Sequence, residues 1–190
     1  MSGHPGLDPG FSRTSFREAP RIETARLILR AFRADDLGPL AAMWAEPEVV
    51  RFVGGQVLGR EDTWRRSLAA CGQWPFVGWG YLVAELKSSG KAVGQVGFGD
   101  FKREMEPSLE GEPELGYVFS PEVHGQGIAF EACKAVLDWA DANLGATSYP
   151  AIISSENTAS IRLAEKLGFV REPDGTYRGE PIGIFRRAQP

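Results

Sequence analysis

Pro121-Glu122-Val123-His124-Gly125-Gln126-Gly127-Ile128-Ala129-Phe130-Glu131-Ala132 is the stretch on which the reading of this chain turns. Before it, Glu112 to Phe119 (EPELGYVF) reads as a strand. After it, Cys133, Val136, Leu137 and Ala140 recur at spacings of three and four, so Phe130 to Leu144 reads as an amphipathic helix. The loop between them carries Gly125 and Gly127 and opens the helix near Ile128. Backbone N–H groups in the first turn of a helix have no partner within it. With the helix dipole they form a receptor for a diphosphate. Glycines let the backbone approach phosphate oxygens without a Cβ in the way, and the small Ala129 has the same effect one turn in. An anion site and a plain strand-to-helix turn are both consistent with these residues. Other phosphate loops fit less well. A dinucleotide fingerprint needs Gly or Ala three residues after its second glycine, where this chain has Phe130. Gly54 to Gly59 has mononucleotide-loop spacing, but Arg60-Glu61 replaces the Lys and Ser/Thr.

Outward from this stretch the periods alternate. Arg26 to Arg33 (RLILRAFR) suits a strand with Leu27, Leu29 and Ala31 on one face. Asp35-Asp36 starts a helix that carries Leu37, Leu40, Ala41 and Trp44 and ends before Pro47. Glu48 to Val53 reads as a short second helix. Arg60 to Cys71 reads as a third, with Trp64, Leu68 and Cys71 on one side. Trp79 to Leu86 and Ala92 to Phe101 read as two strands joined by a Ser88-Ser89-Gly90-Lys91 turn. Tyr149 to Ser154 is a short strand, and Asn157 to Leu167 a helix stopped by Gly168. Phe169 to Arg171 and Ile182 to Arg186 close the chain as strands. The order is that of a mixed α/β sheet. The first twenty residues hold three Gly and three Pro without periodicity and read as a flexible leader, leaving 21–190 as one domain.

Composition narrows the function. The chain has 190 residues, 43% of them hydrophobic, and a net charge of −4. Its sequence pI near 5.3 argues against a dedicated nucleic-acid binder, which needs a basic face. Two cysteines and two histidines supply neither a disulfide framework nor a His-based metal site. No apolar run approaches the roughly 20 residues of a membrane helix, and no signal peptide is seen, so a cytoplasmic location is expected.

Other residues stand out as candidates. Asn157 sits at a helix entry with Ser160 three residues on; both suit a ligand-facing helix end, and both are common in capping positions. Glu114 alternates with Glu112 on one strand face. Either carboxylate is a candidate to take a proton from an ammonium substrate, if that face lines a cleft. Asp100 to Gly116 holds six acids against Lys102 and Arg103, an excess suited to a cationic amine. His124 lies beside the glycine loop, and Cys133 on the apolar face of its helix. Trp44, Trp64 and Trp139 occupy core-facing helical positions, whereas Trp74 and Trp79 flank Pro75 and Gly78 in a loop.

Together these segments resemble the GNAT superfamily of N-acetyltransferases, in its RimJ/RimL-like branch. Glu23-Thr24-Ala25-Arg26-Leu27-Ile28-Leu29-Arg30 with Asp35-Asp36 is similar to that branch's opening. Glu114-Leu115-Gly116-Tyr117 resembles its central strand, and Gly125 to Ala132 its cofactor loop. Asn157-Thr158-Ala159-Ser160 with Glu165-Lys166-Leu167-Gly168-Phe169 resembles its last helix. The likeness runs from about Arg21 to about Arg187. One departure is His124, where the superfamily favours Gln or Arg and the branch often has Trp or Arg.

The resemblance implies a mixed, largely antiparallel twisted sheet of about six or seven strands flanked by four or five helices. It implies acetyl-CoA as donor, no metal, and an amine acceptor that is a small molecule or a protein N-terminus. On that model His124, Gly125, Gln126, Gly127, Ile128 and Ala129 hold the diphosphate, while Tyr117, Val118 and Phe119 pair with the pantetheine arm. Asn157 contacts the pantetheine, Ser160 protonates the leaving thiolate and Glu114 is the general base. Relatives are often homodimers. The rival expectation is a non-catalytic acyl-CoA sensor or partner protein built on the same scaffold.

Overall fold

The computed structural model describes residues 18–189. All but the last three residues of the leader read for 1–20 lie outside them. The described residues form ten strands, in two antiparallel sheets, and five α-helices. The first sheet has the order β1 (Ile22–Glu23), β2 (Leu27–Arg30), β3 (Tyr81–Leu86), β4 (Ala92–Gly99) and β6 (Glu114–Phe119). The second runs β5 (Met105–Glu106), β9 (Gly175–Tyr177), β10 (Glu180–Ala188) and β7 (Ser148–Ile153), with β8 (Val170–Arg171) also paired to β10. β6 ends one sheet and β7 ends the other. The two strands lie side by side but share no ladder.

Helices cover both faces of the first sheet. α1 (Leu37–Trp44) and α2 (Pro47–Val50) pack Leu40, Met43, Trp44 and Val49 on Val83 and Ala92. α4 (Ile128–Asn143) packs Cys133, Val136 and Leu137 on Leu82, Val96 and Phe98. This two-sided burial explains why every residue of β4 is buried. α5 (Thr158–Lys166) closes on the second sheet through Ala164.

A buried ion network ties the start of the chain to β3. Arg30 donates to both oxygens of Asp36 at 2.8 and 2.7 Å and to Glu85 at 2.6 Å. Asp36 also accepts the Arg33 backbone N–H at 2.7 Å.

The sheet expected from the sequence is divided in two, and α3 and the β9–β10 hairpin depart from the reading. α3 spans Arg60–Val77 rather than stopping at Cys71. Pro75 falls in its last turn and forgoes one i→i−4 hydrogen bond there, and Gly78 ends it in the left-handed region at φ 88°. Trp74 and Trp79 are therefore buried packing residues rather than loop residues flanking Pro75 and Gly78. Trp74 donates its indole N–H to the Tyr81 carbonyl at 3.1 Å and meets Trp139 edge-on. The helix buries Thr63, Ala70 and Trp74, so Trp64 and Leu68, read as facing the core, are exposed. The β9–β10 hairpin was not anticipated. Its Arg178-Gly179 turn has φ of 54° and 83°, the paired left-handed geometry of a tight two-residue hairpin. Among the described residues, no helix is long and apolar enough to cross a membrane.

Candidate active site

The glycine loop is held from behind by the start of the chain. Glu131, in the first turn of α4, accepts from the Thr24 hydroxyl at 2.6 Å, the Arg26 backbone N–H at 2.8 Å and Arg26 Nε at 2.7 Å. Arg26 Nη1 also donates to the Gln126 carbonyl at 2.8 Å. Burial pushes the Glu131 carboxyl up, but these donors outweigh it and hold the group below its ordinary range. Gly125 and Gly127 take φ of 71° and 74°, which a side chain would strain. The His124 N–H is used by the Pro121 carbonyl, and the Glu131 N–H by Gly127. The amides between them sit at the open end of α4. His124 Nε2 donates to the Phe119 carbonyl at 3.0 Å, which fixes its tautomer and ties the loop to the end of β6.

A cavity of about 890 Å³ opens in front of this loop. Every residue expected to hold the cofactor lines it except Gln126. Gln126 turns outward, donating its side-chain amide to the Glu122 carbonyl at 2.7 Å. Sequence reasoning missed three cations on this wall: Arg51, Arg162 and Lys166. A signal existed for two of them, since Ala159, Arg162, Leu163 and Lys166 form one helical stripe.

A second cavity, of about 500 Å³, lies across the junction of β6 and β7. The two share Phe52, Val53, Tyr117, Val118, Asn157 and Ser160 as a neck. Asn157 does cap α5, its Oδ1 accepting the Ser160 N–H at 3.1 Å. That leaves its amide NH₂ as the group to offer a ligand. Tyr117 donates its hydroxyl to the Ser160 carbonyl at 3.3 Å, and burial pushes its phenol up, so it stays protonated.

Glu114 lines the second cavity and is 6% exposed. Arg103 grips it with Nη2 at 2.7 Å from one oxygen and Nε at 3.1 Å from the other. Burial pushes its carboxyl up; Arg103 pulls it back, and the net shift is upward. Glu112, its rival on sequence, is buried against Arg186 and lines neither cavity. β6 begins only at Glu114, so the expected alternation of the two acids on one strand does not occur. The acidic hairpin is also largely neutralised: Lys102 pairs with Asp100 at 2.7 Å and with Glu110 at 3.1 Å. Cys133 is core, and burial pushes its thiol up.

The site thus combines one cavity at a helix N-terminus with a second across a split sheet. Residues 26–170 match the model of the acetyltransferase (GNAT) domain. YkkB of Bacillus subtilis is 28% identical over 170 residues, covering 88% of this chain and 95% of its own. YoaA of the same organism, described as an uncharacterized N-acetyltransferase, is 28% identical over 157 residues, 80% and 84% of the two chains. The crystal structure of an acetyltransferase from Agrobacterium tumefaciens superposes with a TM-score of 0.77 at 28% identity, over 90% of this chain and 96% of that one. The chain belongs to the GNAT acetyltransferase family.

Proposed function

We propose that the protein transfers the acetyl group of acetyl-CoA to a primary amine by direct attack in a ternary complex, as a member of the RimJ/RimL-like branch. The observation that carries this reading is the shared neck. Tyr117, Val118, Asn157 and Ser160 border both cavities, so a thioester reaching the neck from one side meets an amine entering from the other. The amides of Gly125 to Ala129 take the diphosphate, with Arg51, Arg162 and Lys166 as further phosphate partners. The unladdered edge of β6 from Tyr117 to Phe119 offers main-chain groups to the pantetheine arm. An N–H there also polarises the thioester carbonyl.

The chemistry requires little more. An alkyl ammonium, with pKa around 10.4, must lose a proton before it can attack. Glu114 accepts that proton, directly or through water. The amine nitrogen bonds to the carbonyl carbon, and the carbon–sulfur bond breaks. The CoA thiolate takes a proton from the Ser160 hydroxyl, which is resupplied by the second N–H proton that the amine nitrogen sheds as the amide forms. No enzyme-bound acyl group forms.

Calorimetric titration with acetyl-CoA and with desulfo-CoA tests the donor site without a known acceptor. Micromolar binding of both supports the reading, and thiol release across a panel of amines then tests transfer. Failure of both to bind would overturn it.

A further inference from the structure

The smaller cavity, where the transferase reading places the acceptor, carries three guanidinium groups, on Arg66, Arg103 and Arg178, against one carboxylate, Glu114. That carboxylate is already engaged by Arg103 through two hydrogen bonds. Arg103 is fixed further by stacking, with its guanidinium carbon 4.3 Å from the Phe101 ring centre and 5.4 Å from that of Tyr177. Arg66 lies over the Trp44 ring at 4.4 Å, and Arg178 over Tyr177 at 5.1 Å. Among the described residues neither Arg66 nor Arg178 has a carboxylate within ion-pair distance. The remaining polar lining is neutral, including the buried Gln95 and the Tyr81 phenol, which burial keeps protonated.

We propose that the acceptor is a small amine that carries its own carboxylate, bound by Arg66 and Arg178 while Arg103 and Glu114 face the amine. This rests on the transferase reading above. It departs from what the acidic hairpin suggested, because of its six acids only Glu114 reaches the cavity. A polyamine would bring positive charge to a site that already holds an excess of it. An amino acid brings an anion for the unpaired guanidiniums, whose planar forks match a carboxylate. The same cations depress the pKa of a nearby ammonium, so they also help release the neutral amine that attacks. A cavity of about 500 Å³ is the size for a small molecule.

The test uses the full chain saturated with CoA, titrated calorimetrically with L-glutamate, its diamide, spermidine and an acidic tetrapeptide. kcat/KM for each is measured in parallel by thiol release from acetyl-CoA. The expected result is at least about 10-fold preference for glutamate over its diamide and over spermidine in both readouts. Arg66→Gln and Arg178→Gln each remove most of that preference and leave acetyl-CoA affinity unchanged. Equal or better binding of the diamide or spermidine overturns the proposal, as does a preference that survives both substitutions. Preference for the tetrapeptide overturns the small-molecule assignment. A protein that binds acetyl-CoA and none of the probes overturns this proposal alone. One that does not bind acetyl-CoA overturns the reading beneath it.

Discussion

Glu114 is held between two opposed influences. Burial favours its neutral form, and the two Arg103 bonds favour the charged one. The upward net shift matters for a base, because a carboxyl near its ordinary value accepts a proton poorly. In the proposed role Glu114 works only when ionised, so kcat/KM rises with pH through a limb above the usual carboxylate range. Glu114→Gln is expected to lose that limb and about 10²-fold or more in kcat, with acetyl-CoA affinity intact. A pH–rate profile of both proteins checks it; an unchanged limb removes Glu114 from the chemistry. The sign for stability is the reverse. The folded state holds this proton more tightly than the unfolded chain, so the contribution of Glu114 is present at low pH and lost as pH rises through its raised value. The buried Arg30–Asp36 pair makes a different case, because neither partner has water to fall back on. Asp36→Ala removes two bonds from a buried guanidinium that keeps Glu85 as counter-charge, and is expected to cost about 1.5–3 kcal/mol by denaturant unfolding.

At the scale of elements, the opening strand and the glycine loop form one device. Thr24 and Arg26 line neither cavity; they clamp Glu131 and the Gln126 carbonyl, and so set the pose of the amides at the start of α4. Glu131→Gln removes the charge that both donors answer. It is expected to weaken acetyl-CoA about tenfold by calorimetry, with far smaller change in acceptor KM; the reverse pattern would place Glu131 in acceptor binding. This coupling also shows what a sequence can reveal. The loop and α4 were legible because their physics is local: glycines with positive φ and a period of 3.6. The Asn157 cap was legible for the same reason. Arg103 and Arg178 were not, because what makes them site residues is tertiary. One meets Glu114 from across a hairpin, and the other stands on a turn entered from the three-residue β9, which carries almost no apolar pattern. α3 was truncated because Pro75 and Gly78 look like a loop when read in order, although Trp74 between β3 and α4 pins the last turn in place.

At the scale of the molecule, the decisive feature is a seam. A continuous sheet would pair β6 with β7 and bury their facing amides in a ladder. Here the two sheets part; the smaller cavity opens along the gap between β6 and β7, and the larger one between the end of β6 and α5. The unpaired edges are left to whatever fills the gap, which makes the proposed donor a bridge between the halves of the fold. Binding that is confined to the folded state must then raise its stability by mass action. At a free concentration one hundred times Kd this is about 2.7 kcal/mol. For a chain of this size each kcal/mol moves Tm by about 2–4 °C, so a shift of about 5–10 °C is expected with acetyl-CoA. Desulfo-CoA should give a comparable shift, since the reacting sulfur adds little to the bridge. Hydrogen exchange should slow at Tyr117 to Phe119 and at the facing start of α5 in the same titration. A thermal shift without that protection would mean that the ligand sits on the glycine loop alone and leaves the seam open. In that case the split between the sheets serves the acceptor and not the donor.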